Sequence, residues 1–280
     1  MKIAVTAASG QLGGSIVREL LQNGKHEVVA VARTPEKVDM PGVEVRKGDY
    51  AQPTDWPEAL KEVDAVLIVS ANGEPGQRIG WHRNIIEGAK QSGVQKVVYT
   101  SIIGPSSGGA FSPIVQSNRQ TEEDIQNSGL DWAIGRNGLY IEPDFEYVDN
   151  YVKEGGIINC AGQGKCGYTS RSELAIAYRH LLENDQHSQG VYNLNGDPVS
   201  QNQLAEAINS VFGTRLSFKA ISVDEYAAER KAALGEFMGT VIAGIYAGIG
   251  EGAFNVNSDF QEVVGRAHLS LPDMARQFHG

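Results

Sequence analysis

Cysteine is scarce in this chain: there are two in 280 residues, Cys160 and Cys166, in the stretch "NCAGQGKC". Their spacing is too wide for a CxxC redox pair, and no histidine stands near enough to complete a zinc site, so both read as reduced structural residues. The six histidines are scattered without an i, i+4 ligand pair, and no metal site is expected. Positive charge is in deficit, with 24 Lys and Arg against 34 Asp and Glu for a formal net charge of -10. That balance argues against nucleic acid or an anionic membrane as the main partner. Long apolar runs are missing too: Val241 to Ile249 is too short and too broken by glycine to cross a bilayer. With no leader-like apolar stretch at its start, the chain is expected in a reducing cytoplasm. Repeats, linkers and low-complexity tracts are absent as well.

What is present is alternation. Short β-branched runs ("KIAVT", "EVVAVA", "VEVRKGD", "AVLIVS", "KVVYTS") are separated by amphipathic stretches, Leu12 to Asn23 and about Trp81 to Ser92 among them. Strand, helix, strand in repetition predicts parallel pairing through right-handed crossover helices. In the first helix Ile16, Val17, Leu20 and Leu21 are expected on the sheet-facing stripe. The predicted fold class is α/β, a Rossmann-like doubly wound parallel sheet with a smaller, mainly helical C-terminal lobe. The expected division is 1–199 for the dinucleotide-binding domain and 200–280 for the substrate-side lobe, with the chain crossing between lobes near 138–156.

The loop after the first strand, "TAASGQLGG", has the spacing AxxGxxG on Ala7, Gly10 and Gly13. It follows a strand, opens a helix and lies within a βαβ unit of about 30 residues, the context in which such a loop cradles a pyrophosphate. A tight turn without a ligand is the plainer reading. Ala7 is expected to keep an ordinary strand-end conformation. The second strand ends at Arg33 with no carboxylate for ribose hydroxyls; Arg33 and Lys37 suit a 2'-phosphate and favour NADP(H), though a solvated surface arginine is the alternative. Asp49 is placed to meet the adenine, and Ser70, Ala71, Asn72 and Gly73 the ribose, because they end the third and fourth strands. His82 is expected as a helix-start cap or packing residue. The stretch 104–113 is a flexible segment that either orders over the cofactor or is an ordinary surface loop.

The set "TAASGQLGG", "VARTPEK", "HRNIIEGAK", "VVYTS", "TEEDI", "GRNGLY", "TSRSELA" and "YNLNGD" resembles the NmrA-like atypical branch of the short-chain dehydrogenase/reductase superfamily. Within it the likeness is greatest to bacterial NAD(P)H:quinone oxidoreductases and triphenylmethane reductases, over nearly the whole chain. The resemblance implies an NADP(H)-dependent reductase acting on a flat conjugated acceptor, a quinone or dye. It assigns Thr6, Ala7, Ser9, Gly10, Gln11, Leu12, Gly13, Arg33 and Lys37 to the cofactor. It places Asn137, Gly138 and Tyr140 by the nicotinamide and puts Arg171 at a matched position; Ser101 is a further cofactor-binding candidate, and a homodimer is possible. Relatives usually have glycine where Ala7 stands.

A Tyr-x-x-x-Lys proton-transfer pair is missing from "FSPIVQSNRQTEE". Asn118 and Arg119 occupy the slot, and with Tyr140 they are candidates for positioning the acceptor. Carbonyl reduction or sugar epimerisation by the Tyr-Lys route is disfavoured, whereas a quinone or cationic dye accepts hydride without an enzymic acid. The alternative is a non-catalytic NADP(H)-binding redox sensor.

Overall fold

The computed structural model describes residues 1–279, and its centre is a seven-stranded sheet. Its strands are β1 (Lys2–Val5), β2 (Glu27–Ala32), β3 (Glu44–Lys47), β4 (Ala65–Val69), β5 (Lys96–Ile102), β6 (Asp131–Asn137) and, after four short strands, β11 (Gly190–Leu194). The order is β11-β6-β5-β4-β1-β2-β3 and every pairing is parallel. Strands such as "AVLIV" are apolar on both sides because both faces are covered. Helix α1 (Gln11–Asn23) lies on one face; α2 (Trp56–Ala59), α3 (Pro75–Gln91) and α4 (Ser112–Gln126) lie on the other.

Two details of the predicted helices differ. Ile16, Val17 and Leu20 are buried as expected, but Leu21 is exposed, since it falls one residue past the stripe that meets the sheet. The helix expected from about Trp81 begins at Pro75, whose missing N–H suits the first helical turn. His82 therefore stands in the helix interior, and it is fully buried.

Beyond β6 the chain builds a second core. Here come β7 (Leu139–Tyr140), α5 (Glu142–Glu146), α6 (Val148–Glu154), β8 (Ile157–Asn159), β9 (Lys165–Cys166), β10 (Tyr168–Thr169) and α7 (Arg171–Glu183), the last returning to pack on α1. After β11 follow β12 (Val199–Ser200), α8 (Gln201–Phe212), β13 (Phe218–Ala220), α9 (Val223–Leu234), α10 (Glu236–Gly250), α11 (Phe260–Val264) and α12 (Leu271–His279). Ile141, Phe145 and Ile157 share one apolar cluster with Leu204, Ile208 and Met274, and β8 pairs with β13. Residues on both sides of position 199 thus form this lobe. No helix among the described residues is long and apolar enough to cross a membrane. The apolar α10 instead docks on the 104–111 loop: a Cβ on Gly244 would stand 2.6 Å from the Phe111 nitrogen. The loop's end is anchored by Phe111, itself 6% exposed.

Candidate cofactor and active site

The carboxyl ends of β1, β2, β4, β5 and β6 gather most of the expected residues at one edge of the sheet. At the end of β1, Thr6 is wholly buried; its Oγ1 accepts from the Val69 N–H at 2.9 Å and pairs with the Tyr50 hydroxyl. Ala7 departs from expectation: its φ is +50°, in the left-handed region. The turn demands it, because the chain must reverse to let the Gly10 N–H donate to the Ala7 carbonyl at 2.9 Å while Ala8 N–H donates to Val31 O. A Cβ makes that conformation cost on the order of 1 kcal/mol. Gly13 is the tightest point of the loop: a Cβ there would lie 2.4 Å from the Ala7 oxygen.

Helix α1 starts bare. Gly10 caps it with extended backbone and no side-chain hydrogen bond, and its first turn holds no acid. The amides of Gln11, Leu12 and Gly13 precede the first intrahelical bond, Gly14 N–H to Gly10 O, and have no backbone acceptor among the described residues. By contrast, Ser170 and Ser200 cap α7 and α8. Three free N–H groups at a positive helix end, with Ser9, Gly10 and Gln11 exposed around them, fit the pyrophosphate of a dinucleotide. Arg33 and Lys37, just past β2, are exposed and make no ion pair among the described residues, as a 2'-phosphate site requires. The Asp49 Oδ1 accepts from the Ala51 N–H, closing its own turn. Ser70, Ala71 and Gly73 are half-buried after β4 and Asn72 is exposed.

The remaining cofactor and acceptor candidates divide by face. On the α4 side, Ser101 is fully buried and donates to Glu122 Oε1, which also takes Arg119 Nη1 at 2.6 Å and Arg136 Nε at 3.0 Å. Arg119 further donates to Ile102 O at 2.9 Å. Its guanidinium is thus engaged in two directions, though the side chain keeps about a quarter of its surface. Asn118 is 0% exposed; its Oδ1 accepts from Tyr99 and Arg78, and its Nδ2 donates to Ile114 O. That assigns it to the scaffold under the site, not to the surface that meets a ligand.

On the α7 side, the Tyr178 hydroxyl donates to Asn137 Oδ1, and Asn137 Nδ2 donates to the Tyr140 oxygen at 3.1 Å. Tyr140 therefore accepts from behind and keeps its own O–H proton to offer outward. Burial pushes the Tyr140 phenol above its usual range, so it holds that proton at neutral pH. Arg171 lies 5.3 Å over its ring and pairs with Glu142, its backbone N–H donating to Glu142 Oε1 at 2.6 Å. Gly138 permits close approach beside them, since a Cβ would meet Gly167 O at 2.4 Å.

Two cavities bear on the site. One of about 560 Å³, lined by Tyr168, Asn195, Glu206, His268 and neighbours, includes none of the expected cofactor residues. Another of about 430 Å³ runs from Gln11 and Arg18 to Glu142, Arg171 and Phe278, joining the start of α1 to the Tyr140 segment. The second touches the bare helix end at Gln11, and of the expected residues it is lined by Gln11 and Arg171. Sequence reading missed Arg78, Tyr178 and Glu122, and it read His82 as a helix-start cap or a packing residue, of which the structure bears out burial but not the cap. Each is tied to the site by a partner at least seven residues away, a relation that no local pattern carries.

Known proteins similar to this chain include quinone and dye reductases. Quinone oxidoreductase 2 of Escherichia coli (strain K12) is 29% identical over 97% of this chain and 96% of that protein. The crystal structure of the E. coli NADPH-dependent quinone oxidoreductase complexed with NADPH superposes with a TM-score of 0.89 at 27% identity, covering 99% of this chain and 100% of that one. Citrobacter sp. triphenylmethane reductase complexed with NADP(H) superposes with a TM-score of 0.88 at 28% identity, covering 98% of this chain and 99% of that one. A family model described as NAD(P)H-binding matches residues 7–185, and the chain accordingly belongs to that NAD(P)H-binding family.

Proposed function

We propose that this protein is an NADPH-dependent reductase that delivers hydride to a quinone or a similarly flat, conjugated acceptor. The observation that carries the reading is the pairing of a bare α1 N-terminus with exposed cations just past β2 that make no ion pair among the described residues. Relatives named for quinone and dye reduction support the same conclusion. NADPH, when bound, supplies the hydride. The protein's own residues bind and orient: the Gln11, Leu12 and Gly13 amides take the pyrophosphate, and Arg33 with Lys37 takes the 2'-phosphate. Tyr140, held by Asn137, offers its O–H to an acceptor oxygen or the nicotinamide amide. Arg171 covers its ring and excludes water from one side.

No enzymic acid is needed in this scheme. A quinone that gains one hydride becomes the hydroquinone monoanion, whose charge is delocalised, and a proton from solvent completes the two-electron reduction. Catalysis is then chiefly positioning. The test is NADPH and NADH oxidation with 1,4-benzoquinone, followed by loss of reduced-nicotinamide absorbance. NADPH-preferring turnover is expected. Tight NADPH binding with no turnover on quinones or dyes would point to a redox sensor instead, and activity confined to aldehydes would overturn the acceptor class.

A further inference from the structure

Behind the loop that joins β4 to α3 stand two buried residues to which the reaction has so far given no part. Arg78 is 4% exposed. Its Nε donates to the Ala71 carbonyl at 2.6 Å, and its other nitrogens donate to Ser117 Oγ, Ile114 O and Asn118 Oδ1. Every acceptor is neutral, and among the described residues no carboxylate pairs with it. His82, 1% exposed, faces the same residue: the Ala71 N–H donates to its Nε2 at 2.9 Å. Its Nδ1 lies 2.9 Å from Thr121 Oγ1, whose hydroxyl donates to Ser117 O. The Thr121 oxygen must then accept from Nδ1–H, which fixes one neutral tautomer. One residue earlier, the Ser70 N–H donates to Thr100 Oγ1 at 2.8 Å.

Ala71 is thus held by both its N–H and its C=O, from a helix that lies outside the sheet. A buried guanidinium without a counter-ion is costly to a fold, and an ion-paired one would project little field. In a water-poor setting the unpaired charge acts over several ångströms with weak screening.

We propose that Arg78 and His82 are positioning residues for the cofactor. They clamp Ala71 from behind so that Ser70, Asn72 and Gly73 hold a fixed face toward the cofactor's ribose and phosphates, and Arg78 supplies an uncompensated positive charge beneath that face. The proposal rests on the assignment of residues 70–73 to NADPH binding.

The test measures NADPH dissociation constants by nicotinamide fluorescence, and kcat and KM for NADPH with 1,4-benzoquinone. His82→Leu is expected to raise Kd and KM about tenfold while kcat at saturation stays within about twofold, since the reacting atoms are untouched. His82→Gln, whose side-chain oxygen can accept from Ala71 N–H, should recover most of the loss. Arg78→Met should raise Kd similarly, with Arg78→Lys recovering part of it through the retained charge. Folded His82→Leu and Arg78→Met proteins, shown by a cooperative melt, that bind NADPH as the parent does would overturn the proposal. If His82→Leu does not fold, Arg78→Met carries the test, since it removes both the donor to the Ala71 carbonyl and the buried charge, and an unchanged Kd there is equally fatal. A parent that binds no NADPH refutes the functional reading itself. A parent that binds it, with Arg33→Ala losing the cofactor preference while folded His82→Leu or Arg78→Met does not weaken binding, refutes only the clamp.

Discussion

Gly13→Ala is the sharpest single perturbation of the cofactor loop. The added Cβ would stand 2.4 Å from the Ala7 oxygen, 2.9 Å from the Ala7 carbonyl carbon and 3.0 Å from the Thr6 oxygen. All three are backbone atoms of a turn already committed to a left-handed Ala7, so none can yield as a flexible side chain would. Either α1 retreats from the end of β1 or the turn reorganises, at the roughly 1–3 kcal/mol typical of overpacking. For a chain of this size that is a fall in melting temperature of about 2–6 °C. The same retreat draws the Leu12 and Gly13 amides off the pyrophosphate, and an estimated tenfold loss of NADPH affinity corresponds to about 1.4 kcal/mol. Gly14→Ala is the matched control: its Cβ would meet Ala8 O and the Met40 methyl at 3.3 Å, contacts that need only small adjustments. Thermal melts and fluorescence titration with NADPH on parent, Gly13→Ala and Gly14→Ala decide the matter. A Gly13→Ala protein with parental melting temperature and parental affinity would refute the close approach of helix and loop.

Arg33→Ala should abolish discrimination between NADPH and NADH, read as the ratio of their KM values; a preserved ratio would remove Arg33 from the 2'-phosphate site. Ala7→Gly should stabilise the chain by about 0.5–1 kcal/mol by relieving the left-handed strain, measured by urea denaturation. Tyr140→Phe should lower kcat with 1,4-benzoquinone several-fold, with any rise in NADPH Kd smaller than the fall in kcat, since the hydroxyl that Asn137 holds is lost. Burial pushes the Asp144 carboxyl up to about 6, against one hydrogen bond from Tyr151 that opposes the shift. The folded state therefore holds that proton more tightly than the unfolded chain. Its contribution to stability is complete below pH about 4 and is lost as pH rises through about 6, so Asp144→Asn should gain on the order of 2 kcal/mol relative to the parent between those limits. Paired denaturation curves at pH 4.5 and 7.5 check the sign.

The sequence by itself determined the parallel sheet, because the period-two and period-3.6 patterns that make strands and helices are local. It also located the βα turn around Gly10 and Gly13 and the cations Arg33 and Lys37 just past β2, since a βα turn and a strand end are read within a few neighbouring residues. Tertiary structure alone decided the rest. Ala7 looked free to stay extended until the Gly10 and Val31 partners required a reversed turn. Asn118 sat in a catalytic slot by spacing, yet packing against Tyr99 and Arg78 sealed both ends of its amide inside the fold. The apolar faces of Ile141, Phe145 and Ile157 found their partners in Leu204, Ile208 and Met274, more than forty residues on. His82 acquired its place only when α3 met the end of β4 and Thr121 of α4. Contacts of that kind depend on which elements the topology makes neighbours, and no window of sequence contains both partners.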